Sequence, residues 1–123
     1  MRRILIIDDE VPVREMLRQM LEREGYEVSE AEDGESGLKL YRSAPADLVI
    51  TDILMPGKGG LVAISDLRRE FPKVSIIAIS GGGRSGKLNF LATARTFPGV
   101  RTLRKPFRRS ELLDAVRESL VEG

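Results

Sequence analysis

Polar residues of this chain stand where short apolar runs end. Asp8 and Asp9 follow the run at residues 4–7, and Asp52 follows the run at residues 48–51. Ser80 and Lys105 end two further runs. If these runs are parallel strands, their carboxyl ends share one edge of a sheet, which is where open α/β sheets bind ligands. Three carboxylates, a hydroxyl and an ammonium group there predict a site for a divalent cation and a phosphoryl group.

The segments that must position these residues alternate between strand and helix patterns. We predict strands at Arg3–Ile7, Glu27–Ala31, Asp47–Thr51, Ser75–Ser80 and Arg101–Lys105. Helical periodicity covers Pro12–Glu24 and Glu35–Arg42, recurs at Leu61, Ile64 and Leu67, and returns in a last helix that Ser110 can cap. Gly25 is expected to end the first helix. Regular alternation predicts an α/β fold with a doubly wound, five-stranded parallel sheet and helices on both faces.

Composition excludes several functional classes. The chain has 123 residues, which suits one domain over 1–123, and its net charge of +1 favours neither nucleic acid nor membrane partners. It has no cysteine and no histidine, which argues against disulfides, zinc sites and histidine-based catalytic relays. No apolar run is long enough to span a membrane, and no signal peptide is recognisable. We therefore expect a cytoplasmic protein.

The acidic residues also have a simpler interpretation, as polar strand ends that favour the positive N-terminus of the next helix. Clustered carboxylates, however, repel by roughly 1 kcal/mol per pair at about 4 Å in water and about 4 kcal/mol at an intermediate dielectric. A hard cation offsets that repulsion, and magnesium prefers oxygen ligands. Lys105 and Ser80, taken alone, are each more typical of a surface lysine and a strand-end hydroxyl.

A glycine-rich segment at residues 81–87 nearly fits a nucleotide-binding P-loop. That motif needs Ser or Thr after its lysine to hold magnesium, and Leu88 stands there instead. We therefore interpret the segment as a glycine-rich loop.

Taken in order, these residues resemble the receiver domain of two-component response regulators, and in particular the single-domain chemotaxis-type receivers. The resemblance runs from end to end and rests on Asp8-Asp9-Glu10, Arg14, Gly25-Tyr26, Asp47 to Asp52, Met55-Pro56, Gly60, Ser80 and Lys105-Pro106-Phe107. It implies a flavodoxin-like sheet with strand order 2-1-3-4-5. It also implies a signalling module rather than a metabolic enzyme.

The resemblance assigns each site residue a role. It implies that Asp52 accepts a phosphoryl group from the phosphohistidine of a histidine kinase or histidine phosphotransfer protein. Mg²⁺ would be held by Asp9, Asp52 and the backbone carbonyl of Leu54, with Asp8 helping through water. Lys105 and Ser80 would bind the phosphoryl oxygens, and the Lys105-Pro106 peptide would be cis. The output would be an altered surface for a protein partner whose identity is open.

The chain also departs from the family pattern. Thr102 replaces the aromatic residue usual three positions before the lysine, and the segment Phe97-Pro98-Gly99-Val100 is atypical. Leu54 and Gly82 offer no side-chain group to orient a hydrolytic water, so a long-lived phosphoryl group is expected. Two alternatives stay open: a degenerate receiver that acts only as a protein-interaction module, and a small magnesium-dependent phosphohydrolase.

Overall fold

Strands and helices alternate along the chain, as the apolar pattern predicts. The structure, a computed structural model, describes residues 2–53, 60–81 and 99–122, apart from the side chains of residues 60, 61, 80, 81 and 122. The elements are β1 (Arg3–Ile7), α1 (Val11–Arg23), β2 (Glu27–Ala31), α2 (Gly34–Ser43), β3 (Leu48–Asp52), α3 (Gly60–Glu70), β4 (Ile76–Gly81), β5 (Val100–Lys105) and α4 (Arg109–Glu122). The predicted bounds of β1 and β2 are confirmed, and those of the other strands are wrong by one residue. In β3 the shift leaves Asp47 outside the strand, where its Oδ2 accepts a hydrogen bond from the backbone N–H of Arg3 at 2.8 Å.

The five strands form one parallel sheet in the order β2-β1-β3-β4-β5, which confirms the predicted fold. Successive residues of a strand point to opposite faces, so the continuous apolar runs bury both faces. On one face, strand residues such as Leu5, Val49 and Ile76 pack with side chains of α2 and α3. On the other, strand residues such as Ile6 and Ile50 pack with side chains of α1 and α4. The sheet is thereby held between two layers of helices.

Local signals set several helix ends. Gly25 has a φ of +90° just beyond α1, a conformation that glycine adopts without steric cost. The Asp33 carboxylate accepts a hydrogen bond from the backbone N–H of Ser36 at 2.7 Å and caps α2. The expectation that Ser110 caps the last helix is wrong, because α4 already begins at Arg109. There the Glu111 carboxylate accepts the backbone N–H of Arg108 at 2.8 Å, as the acidic partner of a capping box does.

A search of the described residues finds no helix that combines the length and the apolar character needed to cross a membrane.

Candidate phosphoryl and metal site

Strand register brings the acidic residues together at the carboxyl edge of the sheet. Ile7 of β1 lies opposite Thr51 of β3, so the residues that follow them, Asp8 and Asp52, end neighbouring strands. Asp52 in turn lies opposite Ile79 of β4. The central position of β1 and β3 in the sheet thus places the two carboxylates side by side.

Four carboxylates form one cluster at this edge. Asp8, Asp9, Glu10 and Asp52 each contribute an oxygen, and these oxygens all lie within 4.8 Å of one another. Asp8 and Asp52 are buried, with exposed fractions of 3% and 6%, whereas Asp9 and Glu10 are exposed. Glu10 was not predicted as a site residue, although its place directly after two aspartates was a usable signal.

Lys105 reaches this cluster from β5. Its Nζ lies 3.4 Å from Oδ2 of Asp52, and its side chain is about three-quarters buried, with 26% exposed. The Lys105-Pro106 peptide is cis, as the resemblance to receiver domains implied. The geometry therefore joins one cation to the buried part of the acidic cluster.

The environment of Asp8 favours the protonated carboxyl group. Burial raises the pKa of Asp8 from its ordinary 3.8 to about 6, and the neighbouring charge of Asp52 adds to that rise. A hydrogen bond from the backbone N–H of Glu10 to Asp8 Oδ1, at 2.8 Å, and the positive charge of Lys105 both act to lower the pKa. The desolvation cost outweighs these, so Asp8 carries its negative charge at an energetic penalty.

A second group of side chains holds the backbone beneath the cluster. Arg14 donates from Nη1 to the carbonyl oxygen of Asp8 at 2.6 Å and from Nε to Oε1 of Glu30 at 3.0 Å. The other Glu30 oxygen lies 2.7 Å from Nη1 of Arg18. No role was predicted for Arg14, because contacts between a helix and the adjoining edge strand are not visible in local spacing.

The donor set suits a divalent cation that prefers oxygen. Four carboxylates face a single nearby ammonium group within the described part of the site. Burial raises the pKa of the most deeply buried carboxyl group, that of Asp8. A divalent ion would offset that repulsion, and the exposed Asp9 and Glu10 leave room for the waters that magnesium usually keeps.

Several residues assigned from sequence lie partly or wholly outside the described residues. The backbone of Ser80 belongs to β4, opposite Arg104, but its side chain is not described. Other predicted positions lie wholly outside the described residues: the Leu54 carbonyl, the glycine-rich segment from Gly82 to Lys87, and Phe97 and Pro98. Thr102 is described: it is half-buried in β5, opposite Ala78.

Sequence comparison matches residues 4–117 to the family described as "Response regulator receiver domain". The chain belongs to that family. Receiver domains of two-component response regulators are signalling modules that interact with histidine kinases and output domains, and they bind Mg²⁺ at an acidic pocket. This chain has an acidic cluster whose carboxylates could hold a metal ion.

Individual relatives agree with the assignment. The chemotaxis protein CheY of Halobacterium salinarum is 31% identical over 98% of both chains. The response regulator GtcR of Aneurinibacillus migulanus is 43% identical over 66% of this chain, which spans 33% of the length of GtcR. The structure of the response regulator TrrA of Thermotoga maritima in complex with Mg²⁺-BeF superposes with a TM-score of 0.86 at 36% identity, covering 98% of this chain and all of TrrA. This receiver domain therefore has similar proteins both of its own size and within longer regulators.

Proposed function

We propose that this receiver domain is phosphorylated on Asp52 in a magnesium-dependent reaction and thereby switches a protein-interaction surface. The observation that carries the proposal is the position of Asp52, which is buried, lies within the carboxylate cluster and is 3.4 Å from Lys105 Nζ. Support also comes from TrrA, a relative whose structure holds Mg²⁺-BeF. The proposal includes the finer assignments to Ser80 and to the Leu54 carbonyl.

In the proposed reaction, Asp52 is the nucleophile. A carboxylate oxygen of Asp52 forms a bond to phosphorus while the nitrogen–phosphorus bond of a phosphohistidine breaks, and the histidine nitrogen keeps that electron pair. Lys105 neutralises charge on the phosphoryl oxygens and Ser80 donates a hydrogen bond to one of them. Magnesium, when held by Asp9, Asp52 and the Leu54 carbonyl, supplies further charge neutralisation and alignment.

Asp8 and Arg14 act in support of this reaction. Asp8 is buried beside Asp52, so its charge attracts a cation into the cluster without blocking the exposed side of the site. Arg14 holds the Asp8 carbonyl, which fixes where the chain leaves β1. Positioning of this kind is what phosphoryl transfer requires of a protein.

Mass measurement of the intact protein tests the phosphorylation. Incubation with acetyl phosphate and Mg²⁺ is expected to add one phosphoryl group, and addition of EDTA is expected to prevent it. Asp52→Asn removes the nucleophile and should abolish labelling. Asp114→Asn makes the same chemical change at an exposed residue of α4 and should label normally. Equal labelling of Asp52→Asn and the unaltered chain would exclude this assignment, whereas no labelling of either would favour a degenerate receiver.

The phosphohistidine donor is proposed to dock on an apolar groove beside Lys105. The groove has a volume of about 700 Å³ and is lined by Val13, Met16, Met20, Arg104, Lys105, Pro106 and Phe107. Met16 on its rim is 41% exposed although it is apolar. Because Lys105 both borders the groove and contacts Asp52, a protein seated there would bring its phosphohistidine close to the nucleophile.

Substitution of Met16 separates docking from chemistry. Met16→Glu puts a charge on the groove and should slow transfer from a phosphorylated histidine kinase by at least tenfold while leaving labelling by acetyl phosphate unchanged. Val121→Glu is the matched control, since Val121 is 85% exposed and lies outside the groove. Unchanged transfer to Met16→Glu from every kinase that phosphorylates the unaltered chain would place the donor surface elsewhere.

A further inference from the structure

A second pocket lies at the opposite edge of the sheet from Asp52. It is formed where β4 and β5 begin, between the end of α3 and the last turns of α4, and its volume is about 610 Å³. The residues that matter for its chemistry are Arg68, Lys73, Gly99, Arg101 and Ser119. None of them belongs to the carboxylate cluster, so the proposed phosphorylation leaves this pocket unexplained.

Positive charge is in excess at this pocket. Arg68 donates from Nη1 to the carbonyl oxygen of Val74 at 2.6 Å and has no carboxylate partner among the described residues. Lys73 is exposed and likewise forms no ion pair within the described part of the chain. Arg101 Nη1 lies 3.4 Å from Oε1 of Glu118, an exposed carboxylate whose attraction is weak in water. An anion entering the pocket would therefore meet Arg68 and Lys73, neither of which pairs with a carboxylate in the described part of the chain.

Backbone groups hold the Arg68 guanidinium at the wall of the pocket. Gly99 has a φ of +75°, and a Cβ placed there would lie 3.1 Å from Nη1 of Arg68 and 3.4 Å from the Val74 carbonyl oxygen. The positive φ favours glycine at this position, and a Cβ there would require the end of the Arg68 side chain to shift by a few tenths of an ångström. The hydrogen bond to Val74 fixes the guanidinium while leaving most of its five N–H groups for a ligand.

A buried hydroxyl lies beside these cations. Ser119 is 4% exposed, borders the pocket, and its Oγ has no hydrogen-bond partner among the described residues. Buried polar atoms normally have a partner, so the Ser119 hydroxyl leaves one hydrogen bond unmade in the wall of a pocket that Arg68 and Lys73 also line.

We propose that this pocket binds a small phosphorylated molecule through its phosphate group. Arginine matches phosphate because its planar N–H groups form paired hydrogen bonds, and Lys73 adds a mobile point charge. The volume lies in the range of small-molecule sites, which favours a metabolite-sized ligand over a protein surface. The ligand chemistry is shared by inorganic phosphate and by nucleoside phosphates, and the site does not depend on phosphorylation of Asp52.

Titration of the 123-residue chain, followed by amide NMR without added magnesium and at constant ionic strength, tests the proposal. Inorganic phosphate and ADP are the two probes. Either is expected to shift the amide signals of Gly99, Val100 and Arg101, while those near Asp52 move little. Tighter binding of ADP would identify a nucleoside phosphate, and equal binding would identify a site for the phosphate group alone; both support the proposal.

Two variants and a matched control decide the outcome. Arg68→Gln should weaken binding about tenfold, equal to about 1.4 kcal/mol, and Lys73→Gln should weaken it several-fold without touching a buried contact. Arg69→Gln is the control, because Arg69 adjoins Arg68 but pairs with Asp66 and does not line the pocket. The proposal is overturned if neither probe shifts these amides, if shifts appear only near Asp52, or if Arg69→Gln weakens binding as much as Arg68→Gln and Lys73→Gln.

Discussion

Replacing Asp8 with asparagine should stabilise the metal-free protein while weakening its affinity for magnesium. Asp8 is 3% exposed, and burial raises the pKa of its carboxyl group from 3.8 to about 6. Asparagine has nearly the same shape, and its Oδ1 still accepts the hydrogen bond that Glu10 donates from its backbone. Asp8→Asn therefore removes the cost of a buried charge and leaves the packing in place.

The size of this effect follows from the difference between the folded and unfolded pKa values. One pKa unit corresponds to 1.36 kcal/mol, so a rise from 3.8 to about 6 costs the folded state at most about 3 kcal/mol at neutral pH. The folded protein binds the proton more tightly than the unfolded chain, so the free energy of unfolding falls as pH rises from about 4 to about 6 and is level above that range. The gain from Asp8→Asn should therefore be full at pH 7.5, about half as large at pH 5, and about a fifth as large at pH 4.

Urea unfolding in EDTA at these three pH values measures the gain directly. Asp9→Asn is the control, because Asp9 belongs to the same cluster but is exposed, so its stability should change little. Magnesium at ten times the dissociation constant of the unaltered chain should raise the free energy of unfolding of that chain by about 1.4 kcal/mol. The same magnesium concentration should stabilise Asp8→Asn by less. A gain that is the same at pH 4 and pH 7.5, or an Asp8→Asn variant less stable than the unaltered chain in EDTA at pH 7.5, would refute the reasoning.

Three further substitutions test two contacts of the acidic cluster and the end of α1. Lys105→Met removes the cation 3.4 Å from Asp52 and should slow labelling by acetyl phosphate about tenfold or more in a mass-spectrometric time course; an unchanged rate would contradict the role of Lys105. Arg14→Leu frees the Asp8 carbonyl and should weaken magnesium binding about tenfold by calorimetry, and undiminished affinity would count against positioning by Arg14. Gly25→Ala forces a φ of +90° on a residue with a Cβ and should lower the free energy of unfolding in urea by about 1 kcal/mol. Gly25→Asn should lower it less, because asparagine tolerates this conformation better. An equal loss in both variants would refute the conformational explanation.

The sequence predicted the sheet well because its signals are local and repeated. Runs such as Ile4–Ile7 are apolar at every position, which occurs when both faces of a strand are covered. Glu27–Ala31 alternates more and lies at the edge of the sheet. Strand bounds were off by one where polar residues flank the runs. Asp47, for example, fits a strand by composition but instead accepts a backbone hydrogen bond from Arg3, 44 positions away in sequence. Contacts of that range leave no trace in local spacing.

Site composition was more predictable than site energetics. The order of acid, acid and lysine at strand ends located Asp8, Asp52 and Lys105, because parallel strands must end at one edge. The raised pKa of Asp8 and the contact from Arg14 depend on how deeply each side chain sits and on which helix crosses the strand end. Both are outcomes of packing, and packing is set by residues far apart in the chain.

The burial that stabilises the fold is also what makes the acidic cluster costly. Ile4 to Ile7 are essentially inaccessible to solvent, and a chain that leaves such a strand has not yet reached the surface one residue later, so Asp8 is buried by its position. Asp52 is buried for the same reason at the end of β3. A pair of carboxylates at the surface would cost less folding free energy, because water screens their mutual repulsion. Water would screen their attraction for a cation equally. Placing the pair at the ends of central strands raises the cost of the two charges and, under the proposed function, the gain from a bound cation as well. Metal binding would then be coupled to the stability of the core.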